Sequence, residues 1–530
     1  MIKQKASKKY VNTQLNKLAT VTIAPDLSYL PANERHVIKL LVKASKHIDS
    51  IFLEQVYEKN PQILNALKEY PESNQPYIDL FTIMFGPWNR LENNKPFINN
   101  IEKPRGANYY PLHMTKEMFN NWLKDHPDDR EIFESHYTVI RKKNDKLIAV
   151  PYAEEYFEEL KSAVRLLKQA AQETRDQTLS VFLNKRAESF LTNEYYESNM
   201  AWMDLDGDIE VVIGPYEVYE DRLFGYKAAF ESFVCVVDHE ESKNLTTIGN
   251  YLDKMEDNLP IPDRHKNFNR GSSSPIKVVN EIFTAGDTKA GVQTLAFNLP
   301  NDERVREAKG SKKVLLKNVM KAKFDKILRP IAAEVLTADE LEKISFDAYF
   351  KHILMHEVSH GLGPGTITLN GKETSVSREL KNYYSVIEEC KADVLGVYNI
   401  LYLMEEDVLD EKLHTSLFST NLAGMFRSIR FGIEEAHGGA NAIQLNYYLE
   451  KGAVSIDDDG LFSVNNRKYR EAVQSLAEET LMIEAQGDTT RAKKLIEGYS
   501  LIKPEVETAL SKLTEIPVDI KPVYSIENEL

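Results

Sequence analysis

The segment His356-Glu357-Val358-Ser359-His360 constrains this chain more than any other. On an α-helix, residues four apart lie one turn apart on the same face, so the two imidazoles can reach one metal ion. The carboxylate of Glu357 between them can then act as a general base. We therefore predict a catalytic zinc site on a helix, with His356 and His360 as two of its ligands.

The flanking residues predict that this motif occupies the last turn of its helix. Ser345 is a candidate N-cap, and apolar residues recur at helical spacing up to the motif. A cluster of glycines and a proline at 361–365 then ends the helix. One class of zinc peptidases has a third histidine six residues after the second, but that position is Thr366 here. The third ligand must therefore come from elsewhere in the chain.

Two adjacent carboxylates lie near the start of a second predicted helix, in the segment 387–393 (IEECKAD). We predict that Glu389 is the third ligand. Glu388 is predicted to orient a ligating histidine from behind, as zinc sites usually require. A structural alternative is that Ser385 and Glu388 form a capping box, since they are three residues apart.

The HExxH and EECKAD segments resemble the signatures of the dipeptidyl peptidase III family of zinc metallopeptidases. That family carries HExxGH, and EECRA followed by an acidic residue. Three further segments resemble the family in the same order along the chain: 213–219 (IGPYEVY) with 230–234 (FESFV), 298–302 (NLPND) and 435–437 (EAH). The resemblance runs from about residue 195 to 520, and residues before about 190 contain no motif that we can assign.

The resemblance implies a zinc-dependent exopeptidase that releases dipeptides from the N-terminus of oligopeptides, with one Zn²⁺ per chain. It implies that Glu357 deprotonates the attacking water and that Tyr219 and His437 stabilise the developing oxyanion. The free α-amino group of the peptide is implied to bind to Glu217, Asn298 and Asn301.

Two departures from the family pattern leave alternatives open. The second histidine follows without the inserted glycine, and Asn441 stands where the animal enzymes place an arginine. A zinc metallopeptidase of different length preference is one alternative, and a non-catalytic peptide-binding scaffold that retains the fold is another.

Taken singly, the polar residues also have structural interpretations. Tyr219 fits a strand, His437 fits a cap, and the two asparagines fit a turn.

The pattern along the chain predicts an α+β fold that is predominantly helical. Residues 31–190 have helical spacing, strands are predicted at 209–213, 233–237 and 291–297, and helices return from Val314. The segments 260–263 and 271–275 are predicted loops.

With the resemblance, we expect two lobes separated by a wide cleft: a helical metal-binding lobe and a mixed lobe that contains a small β-barrel. The mixed lower lobe is predicted to comprise residues 1–240 and about 290–315. The helical zinc-binding upper lobe is predicted to comprise about 241–289 and 316–500, with 501–530 as a C-terminal tail that packs back on the lobes.

Composition limits the remaining choices. A formal net charge of −15 argues against a nucleic-acid partner. Without a run of about 18 apolar residues we expect no membrane span. We expect no signal peptide, because the basic segment 1–9 is followed by polar residues rather than by an apolar core. Two cysteines fit a reducing compartment, so we expect a cytoplasmic location, with a leader removed from this chain as the alternative. An oligopeptide is the expected partner, and both monomer and dimer remain open.

Overall fold

The computed structural model describes residues 2–268 and 275–530. Most of them are helical. In chain order the α-helices are α1 (Lys8–Asn16), α2 (Ala32–Val56), α3 (Asn60–Lys68), α4 (Pro71–Met84), α5 (Lys116–Asp125), α6 (Arg130–Glu134), α7 (Tyr152–Glu155), α8 (Phe157–Glu173), α9 (Gln177–Thr192), α10 (Tyr196–Met203), α11 (His239–Gly249), α12 (Leu252–Asp257), α13 (Glu303–Lys309), α14 (Lys317–Lys323), α15 (Arg329–Val335), α16 (Ala338–Leu341), α17 (Phe346–Ser359), α18 (Val376–Leu380), α19 (Tyr384–Glu405), α20 (Leu413–Ile429), α21 (Ala436–Glu450), α22 (Asn466–Gln486), α23 (Thr489–Tyr499) and α24 (Pro504–Ser511).

The strands are short and fewer. They are β1 (Leu18–Ile23), β2 (Trp88–Asn89), β3 (Lys95–Pro96), β4 (Thr138–Lys143), β5 (Lys146–Pro151), β6 (Ile209–Glu217), β7 (Ala229–Val237), β8 (Ile276–Gly286), β9 (Ala296–Leu299), β10 (Lys312–Leu316), β11 (Thr366–Leu369), β12 (Lys372–Ser375), β13 (Val454–Ile456), β14 (Phe462–Val464) and β15 (Asp519–Tyr524). The predominantly helical α+β class predicted from the sequence is confirmed.

The chain divides into two compact units. Unit 1 comprises Met1–His239, Ser274–Val319 and Asp519–Leu530, and unit 2 comprises Glu240–Ser273 and Met320–Val518. Residues 276–286, which we expected in the helical lobe, are strand β8 of unit 1 because they pair with β7 and β10. In the predicted loop 271–275, only Pro275 lies within the described residues. The C-terminal strand β15 pairs in parallel with β1, so the end of the chain belongs to unit 1.

The largest sheet of the described residues has the strand order β6-β7-β8-β10-β9. This sheet is open, so the small closed barrel that we expected is not formed by these strands. Closure would require the outer strands β6 and β9 to pair, and β9 offers only four residues. The strand predicted at 291–297 was also largely wrong, since only Ala296 and Phe297 of that segment belong to β9.

Burial explains why β6 and β7 form the centre of unit 1. All nine residues of β7 and the first eight of β6 are buried, as is typical of strands covered on both faces. The long helix α2 packs against β7 and β8. Glu217 is the last residue of β6 and is only half-buried, so its carboxylate lies where the covered part of the strand ends.

Unit 2 is built around helix α19, which contacts α17, α21 and α22. A Cβ on Gly396 of α19 would lie 3.1 Å from the backbone nitrogen of His356 on α17. The absence of a side chain at this position therefore allows the two helices to approach closely. Among the described residues, no helix is both long and apolar enough to span a membrane.

A buried ion pair ties two strands of unit 1 together. Lys312 of β10 places its Nζ 3.0 Å from both carboxylate oxygens of Glu210 on β6, and both side chains are 1% exposed. The same ammonium donates to the carbonyl of Trp202 and lies 4.0 Å from the centre of its ring. Lys277 of β8 adds a second cation, 3.2 Å from Glu210.

We predict that Lys312→Met lowers the free energy of unfolding by about 3 kcal/mol, because it leaves the buried Glu210 with Lys277 alone. Urea unfolding followed by circular dichroism would measure this change. The matched double variant Lys312→Met/Glu210→Gln should recover much of the loss, since it removes the uncompensated charge. Equal stability of Lys312→Met and the native chain would show that the ion pair is dispensable.

Candidate metal centre

Three predicted ligands converge in unit 2. The Nε2 atoms of His356 and His360 are 3.1 Å apart. Glu389 Oε2 lies 3.3 Å from His356 Nε2 and 3.9 Å from His360 Nε2. Ligand atoms around a tetrahedral ion at about 2.0–2.1 Å are about 3.3 Å from one another. The spacing of these three atoms therefore fits one small cation.

The carboxylates behind the two histidines fix which nitrogen faces the centre. His356 Nδ1 lies 2.7 Å from Asp393 Oδ1, and His360 Nδ1 lies 2.6 Å from Glu388 Oε1. A neutral imidazole that donates through Nδ1 presents a lone pair at Nε2. Both Nε2 atoms are then acceptors that face each other and Glu389.

This donor set requires a positive charge. Two lone pairs and a carboxylate oxygen repel one another unless a proton or a metal ion lies between them. Although burial lowers the pKa of His356, the nearby Asp393 carboxylate outweighs it and raises that pKa to about 10. Two neutral imidazoles and one carboxylate are also a common ligand set of catalytic zinc. The residues present therefore fit a divalent cation.

His437 lies at the same centre. It is in the first turn of α21, and its Nδ1 is 3.0 Å from Glu389 Oε2. The hydrogen bond to Glu389 raises the pKa of His437, although partial burial opposes the shift. About two-thirds of its side chain is exposed, so its second ring nitrogen is available to a ligand.

Asn441 supports Asp393. Its Nδ2 donates to Asp393 Oδ2 at 2.9 Å and to the carbonyl of His437, one turn earlier, also at 2.9 Å. Gln444 donates to the same Asp393 oxygen at 3.2 Å. Although burial opposes it, the contact with His356 lowers the pKa of Asp393 to about 2. Asn441 is buried, and its amide supports the metal centre from behind.

A second buried group supports Glu388. Lys391 Nζ lies 3.0 Å from Glu388 Oε1 and donates to the carbonyl of Leu362, which follows the motif helix. Glu484 of α22 is fully buried 3.9 Å from the same ammonium. Burial opposes ionisation of Glu388, but Lys391 and His360 keep its pKa well below the ordinary value. The capping-box alternative was wrong, because α19 begins at Tyr384 and Glu388 instead contacts His360.

The remaining residues of the motif helix also have definite places. Glu357 is half-buried directly after His356, and its charge contributes to the raised pKa of that histidine. His360 is the C-cap of α17 and keeps helical backbone angles, so the i, i+4 spacing is that of a regular helix. His352 Nε2 lies 3.1 Å from the backbone carbonyl oxygen of Asp393, so this histidine packs between α17 and α19. Ser345 is at the N-cap position but makes no side-chain capping bond.

The other predicted site residues belong to unit 1. Burial raises the pKa of Glu217, an effect that the neighbouring Asn301 opposes. Asn301 donates to the carbonyl of Tyr216 at 3.2 Å and accepts from Arg306 at 3.1 Å. The Glu217 charge is the main cause of the raised pKa of Tyr219, whose side chain is 76% exposed. Asn298 is exposed on β9, opposite Lys313. The structure therefore brings Glu217, Asn301 and Tyr219 together.

Two further acids surround Glu217. Glu231 on β7 is buried, and burial together with the Glu217 charge raises its pKa. Asp287 follows β8, and burial with neighbouring carboxylates raises its pKa to about 7. Three carboxyl groups that disfavour one another's charge form a site that favours a cation. Glu231 could have been predicted as a site residue because it lies in the FESFV segment, which resembles the family. Asp287 lies in no recognised motif, so no sequence pattern gave a reason to select it.

Sequence reasoning also missed the residues behind the metal ligands. Asp393 had a usable signal, since it lies four residues after Glu389 and thus on the same helix face. Asn441 was noted only as a departure from the family pattern. Gln444 and Glu484 approach from other helices, so no local pattern identifies them.

Known proteins match this chain closely. A sequence profile described as Peptidase family M49 matches residues 128–376. The chain is 37% identical to "Nudix hydrolase 3" of Arabidopsis thaliana, over 98% of this chain and 74% of that protein. The solved structure of DPP III from Caldithrix abyssi is 54% identical with a TM-score of 0.95, and the match covers 98% of this chain and 99% of that one.

A second solved structure, dipeptidyl-peptidase III from Corallococcus sp. strain EGB, is 42% identical with a TM-score of 0.80 over 98% of this chain and 97% of that one. These matches also include the first 190 residues, where the sequence contained no motif that we could assign. The chain belongs to peptidase family M49, the dipeptidyl peptidase III family, and is a metallopeptidase.

Proposed function

We propose that this enzyme is a zinc-dependent exopeptidase that releases dipeptides from the N-terminus of oligopeptides. The convergence of His356 Nε2, His360 Nε2 and Glu389 Oε2 carries this proposal, because these atoms can hold one Zn²⁺. Bound zinc supplies a Lewis acid and lowers the pKa of water at the site. Family membership supports the reaction class.

Glu357 is the proposed general base. It lies on the same helix turn as His356, and its side chain remains partly accessible. A carboxylate in this position accepts the proton of the attacking water and then transfers it to the leaving amine. The motif thus holds the base next to the proposed ligands.

His437 is the proposed electrophilic group. Its hydrogen bond with Glu389 favours the protonated imidazole, which can donate to the oxyanion that forms from the scissile carbonyl. One such donor is worth about 3 kcal/mol of transition-state stabilisation. We assign the Tyr219 hydroxyl the role of a second donor, as the family resemblance implies.

Unit 1 is proposed to bind the N-terminus of the peptide. Burial raises the pKa values of Glu217, Glu231 and Asp287, and a substrate ammonium would favour the ionised forms of these carboxyl groups. Asn298 and Asn301 are the further proposed contacts of the α-amino group. Recognition of the ammonium at a fixed distance from the scissile bond would set the length of the product.

We predict that Glu357→Gln retains bound zinc but lowers kcat by at least about 10³-fold, because the amide cannot accept a proton. Metal content by elemental analysis and turnover of a dipeptidyl-naphthylamide would be measured on the same sample. A variant with both zinc and near-native turnover would exclude Glu357 as the base.

We predict that Asn441→Ala weakens zinc affinity by about 10-fold. The substitution removes the hydrogen bond that holds Asp393, and Asp393 in turn orients His356. Affinity would be measured by competition with a chromogenic chelator. Asn446→Ala is the matched control, because Asn446 is a buried asparagine of the same helix that bonds only to the carbonyls of Tyr499 and Leu501 among its described contacts. If Asn441→Ala instead leaves zinc affinity intact and raises only KM, Asn441 is a substrate residue.

We predict that peptides with a free N-terminus yield dipeptides as first products, whereas N-acetylated versions of the same peptides are cleaved at least about 100-fold more slowly, because acetylation removes the ammonium. Mass spectrometry of a peptide series would identify the products. Tripeptide or internal fragments as first products would favour the alternative of a metallopeptidase with a different length preference.

A further inference from the structure

A polar cavity of about 340 Å³ lies within unit 1, and none of its lining residues has a role in the reaction proposed above. Lys103, Arg105 and Arg222 contribute three cationic side chains to its wall, and Asn93 and Asn94 contribute two amides. Glu102 is the carboxylate of this lining, and it is exposed. We call this feature the cationic cavity.

Glu220 and Asp287 are the carboxyl groups that oppose part of the positive charge around the cationic cavity. Lys103 is 8% exposed, and its Nζ lies 2.6 Å from Glu220. Glu220 also binds Arg90 at 2.9 Å, so its single charge is already shared between two cations. Arg105 and Arg222 are exposed, and within the described residues neither guanidinium has an ion pair with a carboxylate. Both guanidinium groups can therefore donate to a ligand at the cavity wall.

Two further observations indicate a ligand site. Burial, with the charges of Arg90 and Arg222, lowers the pKa of Lys103 to about 8, a shift that a bound anion would oppose. The Oδ1 atom of Asn94 is buried without a hydrogen-bond partner. The volume lies at the lower end of the range for small-molecule sites.

We propose that the cationic cavity binds a small ligand through a carboxylate or phosphate group held by Arg105, Arg222 and Lys103. Guanidinium groups match the paired oxygens of both anions, and the Lys103 ammonium adds a point charge. The unpartnered Asn94 oxygen would accept a hydrogen bond from a donor on the same ligand. The oxyanion has two possible sources: an acidic residue of the peptide substrate, or a separate phosphorylated metabolite.

The first test is binding without turnover. Inorganic phosphate and succinate would each be titrated into the full-length enzyme by calorimetry at low ionic strength. We expect saturable binding of at least one probe with one site per chain, and at least a 10-fold loss in Arg105→Ala/Arg222→Ala. Arg165→Ala, which removes an exposed arginine from α8, is the matched control and should bind as the native chain does.

The variant Arg105→Lys/Arg222→Lys keeps the net charge but replaces both planar guanidinium groups with ammonium groups. It should also bind more weakly than the native chain, and unfolding midpoints would check that each variant is folded. Absence of saturable binding for both probes would overturn the proposal. An equal loss of affinity in Arg165→Ala would overturn it too, since binding would then follow overall charge alone.

A second measurement identifies the source of the oxyanion. Peptide pairs that differ only by Glu or Gln at one position would be compared as substrates of the native enzyme and of Arg105→Ala/Arg222→Ala. A KM that rises only for Glu-containing peptides assigns the cavity to the substrate, an outcome that rests on the proposed peptidase function. Unchanged KM values with lost phosphate binding assign it to a separate ligand.

Discussion

The close packing of α17 against α19 is the contact on which the metal centre depends. Gly396 lets the two helices approach until a Cβ would meet the backbone of His356. At that separation His356 reaches both Glu389 and Asp393, which are one turn apart on α19. The pair of helices therefore positions two candidate ligands at the end of α17, His356 and His360, and one on α19, Glu389. It also positions the Asp393 carboxylate, which contacts His356.

Charge neutralisation explains why so many ionisable groups can be buried around this helix pair. Asp393 is bound by His356, Asn441 and Gln444, and Glu388 is bound by His360 and Lys391. Buried charges are tolerated only when each has partners of this kind. A cation between the candidate ligands would complete this arrangement, and its binding would then be coupled to the ordering of these side chains.

The sequence predicted what depends on local spacing, and it failed where distant segments meet. The i, i+4 histidines and the acidic pair of α19 predicted three ligands that the structure brings together. Strand β8 was missed because Lys277, Asn280 and Glu281 interrupt its apolar residues, so the segment has neither the alternation nor the continuous apolar run that is typical of a strand. Glu484 and Gln444 could not have been predicted, since only the packing of α21 and α22 on α19 brings them near the centre.

The two departures from the family pattern affect different features of the candidate metal centre. Without the extra glycine, His360 keeps helical backbone angles, and its Nε2 still lies 3.1 Å from that of His356. At the second departure, Asn441 and Gln444 give Asp393 two neutral amide donors. Its negative charge is then directed mainly to His356, which makes that imidazole a stronger electron donor. The regular helix therefore preserves the geometry of the candidate ligands, while the asparagine helps to hold the carboxylate behind His356.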